Sequence, residues 1–302
     1  MTIDRKGRLS RRASSGHAAT VFARNEATPL KPSHPQPIAI AWIHGLFGAP
    51  ADWDATRAAL ALALTAAGMP SPQQTTIALP GHADAPGFAG ISACDAGDDA
   101  GSGFADACAA VDAALLAAGA AEQRWLLCGY SMGGRLAMAL AASCTADGRA
   151  ALGSAAPRAP IAGVVPISAH PGLADAADRA TRRAQDFARA ARLATLGSEA
   201  FLAQWLALPL FAPACARFGA KALIAQRSGI DADAAAATCR ALSLGWQPDL
   251  GAALAEFAID GVVAPIAGAL DPDYRAVLGA LARRCGATLR VVDDAGHVLP
   301  LE

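Results

Sequence analysis

One stretch constrains this chain more than any other. Trp125 to Gly129 is an apolar run that fits a buried strand, Gly129-Tyr130-Ser131-Met132-Gly133 follows the pattern G-x-S-x-G, and Met132 to Cys144 reads as an apolar helix. A serine placed where a strand turns at once into a helix sits on a strained backbone that holds its hydroxyl out from the sheet. The glycines two before and two after it leave room for a tight crossing of strand and helix. The five-residue string by itself arises often by chance. The strand before it and the helix after it make it specific.

A serine hydroxyl stays inert unless a histidine takes its proton, and the histidine needs an acid to fix its tautomer and stabilise the imidazolium. His297, in Asp294-Ala295-Gly296-His297, follows the last apolar strand, and Asp271 opens a loop after the strand that ends at Gly268. The chain order is therefore Ser131, Asp271, His297. Asp273, Asp293 and Asp294 are competing acids in the same loops, and a surface-loop histidine is the duller reading of His297. A developing oxyanion needs two further donors, the amide after the serine and one from the loop after an early strand. The backbone amides of Met132 and Leu46 meet those positions, Leu46 lying within His44-Gly45-Leu46-Phe47-Gly48.

The rest of the chain fits a parallel sheet covered on both faces. Strands are expected at Pro37–Ile43, Thr75–Leu79, Ile161–Ser168, Val262–Gly268 and Thr288–Val292. Helices are expected from an Asp52 cap to Gly68 and over Phe104–Ala118. Residues 83–103 read as an irregular surface loop. From about Pro171 to Gly251 the pattern is helical and arginine-rich, as in a helical cap inserted into the sheet domain. Residues 1–37, rich in Arg, Ser and Pro with five basic residues between Arg5 and Arg12, are expected to form a disordered extension or a transit peptide outside a domain spanning 38–302.

Composition narrows the function classes. A net charge of -1 removes the general electrostatic case for a nucleic-acid or membrane-surface partner. No apolar run approaches the roughly 18 residues of a membrane span, and no signal-peptide stretch opens the chain. The seven cysteines are scattered, without a CxxC pair or zinc-ligand spacing. A cytoplasmic protein with reduced thiols and no metal site is expected. Nothing in the sequence sets its oligomeric state.

Several linked strings resemble a known family, the 2-succinyl-6-hydroxy-2,4-cyclohexadiene-1-carboxylate (SHCHC) synthases of menaquinone biosynthesis, within the α/β-hydrolase superfamily. They are HGLFG at 44–48, LPGH at 79–82, GYSMGGRLAM at 129–138, HPGL at 170–173, FLAQWLALPLF at 201–211, IAQRS at 224–228 and LSLGWQPDL at 242–250. The elbow and LPGH belong to the whole superfamily, whereas the arginine after GYSMGG, HPGL and the later strings are narrower. The resemblance implies an α/β-hydrolase fold with a mostly parallel central sheet flanked by helices. It also implies a lyase that eliminates pyruvate from a cyclohexene polycarboxylate, with the triad serine as base and no metal or organic cofactor. By the same resemblance, Tyr130 and Arg135 line the pocket beside Ser131, and Arg182, Trp205 and Arg227 reach it from the cap.

Physical chemistry agrees on one point: a site for a small polycarboxylate needs guanidiniums, each binding a carboxylate through paired charge-assisted hydrogen bonds. Duller readings stand beside these roles. Arg135 can be a buried salt-bridge partner, Arg182 part of a solvated face with Arg179, Arg183 and Arg192, and Trp205 a packing residue between cap and body. Members of the family continue past the histidine motif into a final helix, while this sequence stops at Glu302, so a differently closed or missing end is expected. Two other functions keep the same residues: a serine hydrolase of an ester or of a carbon–carbon bond beside a ketone, and a binding protein without catalysis.

Overall fold

The computed structural model describes residues 38–82, 102–120, 123–227 and 229–302. The expected N-terminal extension, and nearly all of the expected loop over 83–103, lie outside the described residues.

Strand β1 (Ile38–Ile43) is followed by helix α1 (Asp54–Ala66), β2 (Gln74–Ile77), α2 (Ser102–Ala118), β3 (Arg124–Tyr130), α3 (Met132–Ala142), α4 (Ala146–Leu152) and β4 (Ile161–Ile167). Five helices then intervene: α5 (Ala176–Leu196), α6 (Ser198–Leu206), α7 (Ala212–Phe218), α8 (Ala220–Ala225) and α9 (Ala232–Ala241). Helix α10 (Gly251–Phe257), β5 (Val262–Val263), β6 (Ile266–Gly268), α11 (Pro272–Arg284) and β7 (Arg290–Val292) complete the order. The main path of the sheet runs β2-β1-β3-β4-β6-β7, with β5 also pairing β4, and every pairing among the described residues is parallel. The chain moves from β1 outward to β2 and then returns to β3 on the other side of β1. Loops leaving the carboxyl ends of β1 and β3 therefore part around a crevice, the place where open parallel sheets bind ligands.

Alanine makes the close packing possible. All eleven residues of α3 are buried, and the helix lies against a core drawn from β1, β3, β4, α2, α10 and α11. A Cβ on Gly133 would stand 2.3 Å from the Ile43 carbonyl oxygen, and one on Gly129 would stand 2.5 Å from the Gly133 carbonyl oxygen. Both elbow glycines are thus required by the approach of backbone to backbone, not by a preference for turns.

Three local expectations are corrected. Asp52 does not cap α1. Proline at position 50 opens a short 3-10 turn over Pro50–Trp53, and the Asp52 carboxylate reaches back to accept the Ala49 amide at 3.0 Å. The single strand expected over Val262–Gly268 is two short strands, because Pro265 has no amide to give to the ladder between them. Asp271 does not open a loop but caps α11, accepting the Tyr274 amide at 3.2 Å, with Pro272 at the first helical position. Asp-Pro is a helix-start signal that the sequence displays and periodicity alone misses.

The helices between β4 and α10 form their own apolar cluster. Ala190 and Leu193 of α5, Phe201 and Leu202 of α6, and Ala235, Ala236 and Cys239 of α9 pack together around Phe47 from the loop after β1. No single helix among the described residues is long and apolar enough to cross a membrane. One sharply bent pair, α6 with Pro209–Phe218, passes by length and composition, and its Phe201, Leu202, Leu206, Phe211 and Ala214 are buried inside the protein.

Candidate active site

Ser131 occupies the turn between β3 and α3 with φ 50° and ψ −110°, a conformation that costs an L-residue energy and persists because both flanking elements hold it. Its amide donates to the Ile167 carbonyl at 2.9 Å, and its carbonyl accepts the Arg135 amide at 3.1 Å. His297, buried beyond β7, places Nδ1 2.8 Å from Asp271 Oδ2 and Nε2 3.4 Å from Ser131 Oγ. The other Asp271 oxygen is the one that caps α11, so both carboxylate oxygens have an assigned partner. A carboxylate can only accept, so Nδ1 carries the proton and the Nε2 lone pair faces the serine hydroxyl. Such an arrangement can draw a proton from Ser131 and hold the resulting imidazolium. Among the described residues no other acid pairs with His297.

The loop after β1 is pinned by two interlocked histidines. His44 Nε2 accepts the Leu79 amide at 3.1 Å, and His82 Nε2 accepts the Phe47 amide at 3.1 Å, with the ring centroids 5.1 Å apart. Each Nδ1–H then points to a carbonyl, that of Gly45 for His44 and that of Pro80 for His82. Burial lowers the His44 pKa to about 4, and burial together with the neighbouring His44 lowers that of His82 to about 3. Both rings are neutral acceptors near pH 7. Between His44 and Phe47 lies Leu46, whose amide, like that of Met132 at the start of α3, meets no acceptor among the described residues. Both residues line the same crevice as Ser131.

Above them is a cavity of about 230 Å³ lined by Ser131, His297, Leu46 and Met132 on the sheet side and by α5, α6 and α9 on the other. Its charged lining is uneven. Arg135, Arg182 and Arg189 face a single carboxylate, Asp186, leaving a surplus of two positive charges. Arg135 is buried and has no carboxylate partner: Nε donates to Gln247 Oε1 at 2.8 Å, Nη1 to the Leu242 carbonyl at 2.7 Å, and Nη2 to the Ser243 carbonyl at 3.1 Å. Desolvation, with Arg182 nearby, lowers its pKa to about 10, so it remains charged at neutral pH. Two of its five N–H groups are left uncommitted.

A model of the alpha/beta hydrolase family matches residues 40–302. The chain is 34% identical over 256 residues to the SHCHC synthase of Serratia proteamaculans, covering 85% of this chain and 84% of that one. It belongs to the SHCHC synthase family. A second relative, the SHCHC synthase of Klebsiella pneumoniae, is 36% identical over 173 residues, 57% of this chain and 60% of its own length. Among solved structures, MenH from S. aureus superposes with a TM-score of 0.69 at 22% identity, over 89% of this chain and 90% of that one, a likeness of fold.

The residues that the family resemblance implies for the pocket lie around two adjoining cavities. Tyr130 lines the cavity, and its ring packs so closely on the loop that a Cβ on Gly45 would fall 2.8 Å from it. Burial holds its phenol well above the ordinary tyrosine range. Trp205 lines the cavity and also packs, with ring centroids 5.9 Å from Phe47 and 5.5 Å from Phe211. Arg182 lines it too, with Nε on Asp186 at 2.9 and 3.1 Å and both terminal nitrogens without an acceptor among the described residues. Arg227 lines an adjoining cavity of about 30 Å³ that shares Leu46, Phe47, Tyr130, Trp205 and Phe211 with the first, and its Nη1 donates to the Leu223 carbonyl at 3.0 Å.

Asp186, Arg189 and Tyr274 are among the lining residues that the sequence reading does not single out. Asp186 accepts from Arg182, Arg189 and, at 2.7 Å, the Ser243 hydroxyl. The i, i+4 and i, i+3 spacings on one helix were available as a signal for that cluster. Tyr274 stands against His297, ring centroids 4.6 Å apart, as the third residue after Asp271. Its place on the first turn of α11 becomes visible once that helix is recognised.

Proposed function

We propose that this chain eliminates pyruvate from 2-succinyl-5-enolpyruvyl-6-hydroxy-3-cyclohexene-1-carboxylate to give SHCHC, a carbon–oxygen lyase reaction of menaquinone biosynthesis. Ser131 is the base, His297 its proton acceptor, and Asp271 the group that orients and stabilises the imidazole. Within an α/β-hydrolase domain of residues 38–302, residues 171–251 serve as the cap over the site. The observation that carries this reading is the surplus of two positive charges above the Ser131–His297 pair. A simple ester would have no use for it, whereas a substrate with several carboxylates is attracted, oriented and partly neutralised by it.

Proton transfer from Ser131 Oγ to His297 Nε2 gives an alkoxide, which removes a proton from the carbon beside the succinyl ketone. The released electron pair moves through the ring and the carbon–oxygen bond to the enolpyruvyl group breaks. Enolpyruvate leaves and is protonated on carbon to pyruvate, the imidazolium returning the proton it borrowed. The Leu46 and Met132 amides meet the oxygen on which negative charge develops. No acyl-enzyme is formed, so the serine performs general-base work. A cytoplasmic setting accords with the six described cysteines, all of them free thiols.

The test is pyruvate release from this substrate by wild type and Ser131→Ala, with an aryl ester as control. Fast release abolished by the substitution supports the lyase. Ester turnover without pyruvate overturns it in favour of a hydrolase.

A further inference from the structure

We propose that Arg189 is a substrate-binding residue of this protein, a cation that grips a carboxylate in the main cavity beside Arg182 and Arg135. The inference rests on the reading of the cavity as a polycarboxylate site. Arg189 lies two turns along α5 from Arg182, and the two guanidiniums share the Asp186 carboxylate. Asp186 is itself anchored by the Ser243 hydroxyl, in the same segment whose carbonyl holds Arg135. The guanidinium carbon of Arg189 sits 5.5 Å from the centroid of the Trp205 ring, a cation–π placement that fixes the head group from its other side. One nitrogen bonds Asp186, and the remaining N–H groups have no acceptor among the described residues while the residue lines the cavity.

This geometry divides the labour among the cations. One carboxylate cannot neutralise two arginines, so the Arg182–Asp186–Arg189 cluster keeps one positive charge, and buried Arg135 adds the second. A ligand with two carboxylates, one at Arg135 and one at the Arg182–Arg189 edge, balances the cavity.

The experiment uses the full chain and two readouts. Binding of 2-succinylbenzoate, a stable aromatic dicarboxylate carrying the same succinyl ketone, is measured by calorimetry for wild type, Arg189→Gln and Arg189→Lys. The KM and kcat for pyruvate release are measured in parallel, with thermal melts to verify folding. Arg189→Gln is expected to weaken binding about tenfold and raise KM to a similar degree with kcat little changed, as for a lost charge-assisted hydrogen bond made in both ground and transition states. Arg189→Lys is expected to recover part of the loss. Unchanged binding and KM in a folded Arg189→Gln, or no dicarboxylate binding by wild type, would each overturn the assignment. Arginine-dependent binding without pyruvate release would leave the assignment standing and overturn the lyase reading instead.

Discussion

The two sides of the cavity are built by different rules. On the sheet side, Ser131, Asp271 and His297 leave the carboxyl ends of β3, β6 and β7, and each is held by neighbouring backbone: the elbow for the serine, the α11 cap for the aspartate, the buried turn before it for the histidine. On the helical side, Arg182, Asp186 and Arg189 hang from one amphipathic helix, and their placement depends on how α5 packs against α9 and the short turn over Leu244–Trp246. The contrast teaches where generality and discrimination reside. In the proposed reading, a rigid sheet edge supplies proton chemistry that suits several reactions, while side chains on the helices between β4 and α10 choose the ligand.

The largest effects are expected on the sheet side. Ser131→Ala and Asp271→Asn should each lower pyruvate release by about 10³-fold or more. Neither should move the melting temperature much, since asparagine retains the cap of α11 and Ser131 Oγ bonds only His297 among the described residues. Asp271→Ala should add a loss of about 1 kcal/mol of stability by removing that cap. If Asp271→Asn kept most of the activity, the sheet edge would not be the seat of the chemistry.

Arg135 sits where the two sides meet, and its removal should erase the distinction. It projects from α3 and bonds the Leu242 and Ser243 carbonyls and Gln247, just beyond α9. Arg135→Met would leave those buried acceptors unpaired, at about 3 kcal/mol in denaturant unfolding, and would also raise KM. A variant with wild-type stability and raised KM would make Arg135 a pure ligand contact.

A smaller effect is expected at the histidine pair that pins the loop bearing Leu46. His82→Phe leaves the buried Phe47 amide without an acceptor, a loss of about 1–3 kcal/mol, and should lower kcat through the displaced Leu46 amide. The pH dependence has a definite sign. With folded pKa values of about 4 for His44 and about 3 for His82 against 6.5 when unfolded, the unfolded chain binds more protons in that window. Their contribution is complete above pH 6.5 and declines as pH falls from there toward the folded values. Denaturation midpoints measured across that range should drop for wild type and drop less for His82→Phe.

How much of this was legible depends on the range over which the information is stored. The elbow could be read because G-x-S-x-G with an apolar run on each side encodes strand, turn and helix within about twenty residues. Asp271 and His297 could be read because each follows a strand. The Asp52 cap was misread, since a proline two residues earlier starts a 3-10 turn instead. The start of α11 was missed because its signal is a capping dipeptide and not a period.

Helix α5 marks the boundary between the two kinds of information. Its arginines look alike in sequence, yet Arg179 bonds the Leu173 and Ala174 carbonyls, Arg183 bonds the Gly245 carbonyl and stacks on Trp246, and Arg192 reaches Gln204. Arg182 and Arg189 alone among them turn into the cavity around Asp186. The sequence by itself determined a parallel sheet, a serine on an elbow, its histidine and acid, and a family. Tertiary structure decided which guanidiniums face the serine, because local pattern specifies a helix and its polar stripe, while the rotation and seating of that helix are set by contacts with segments far away in the chain.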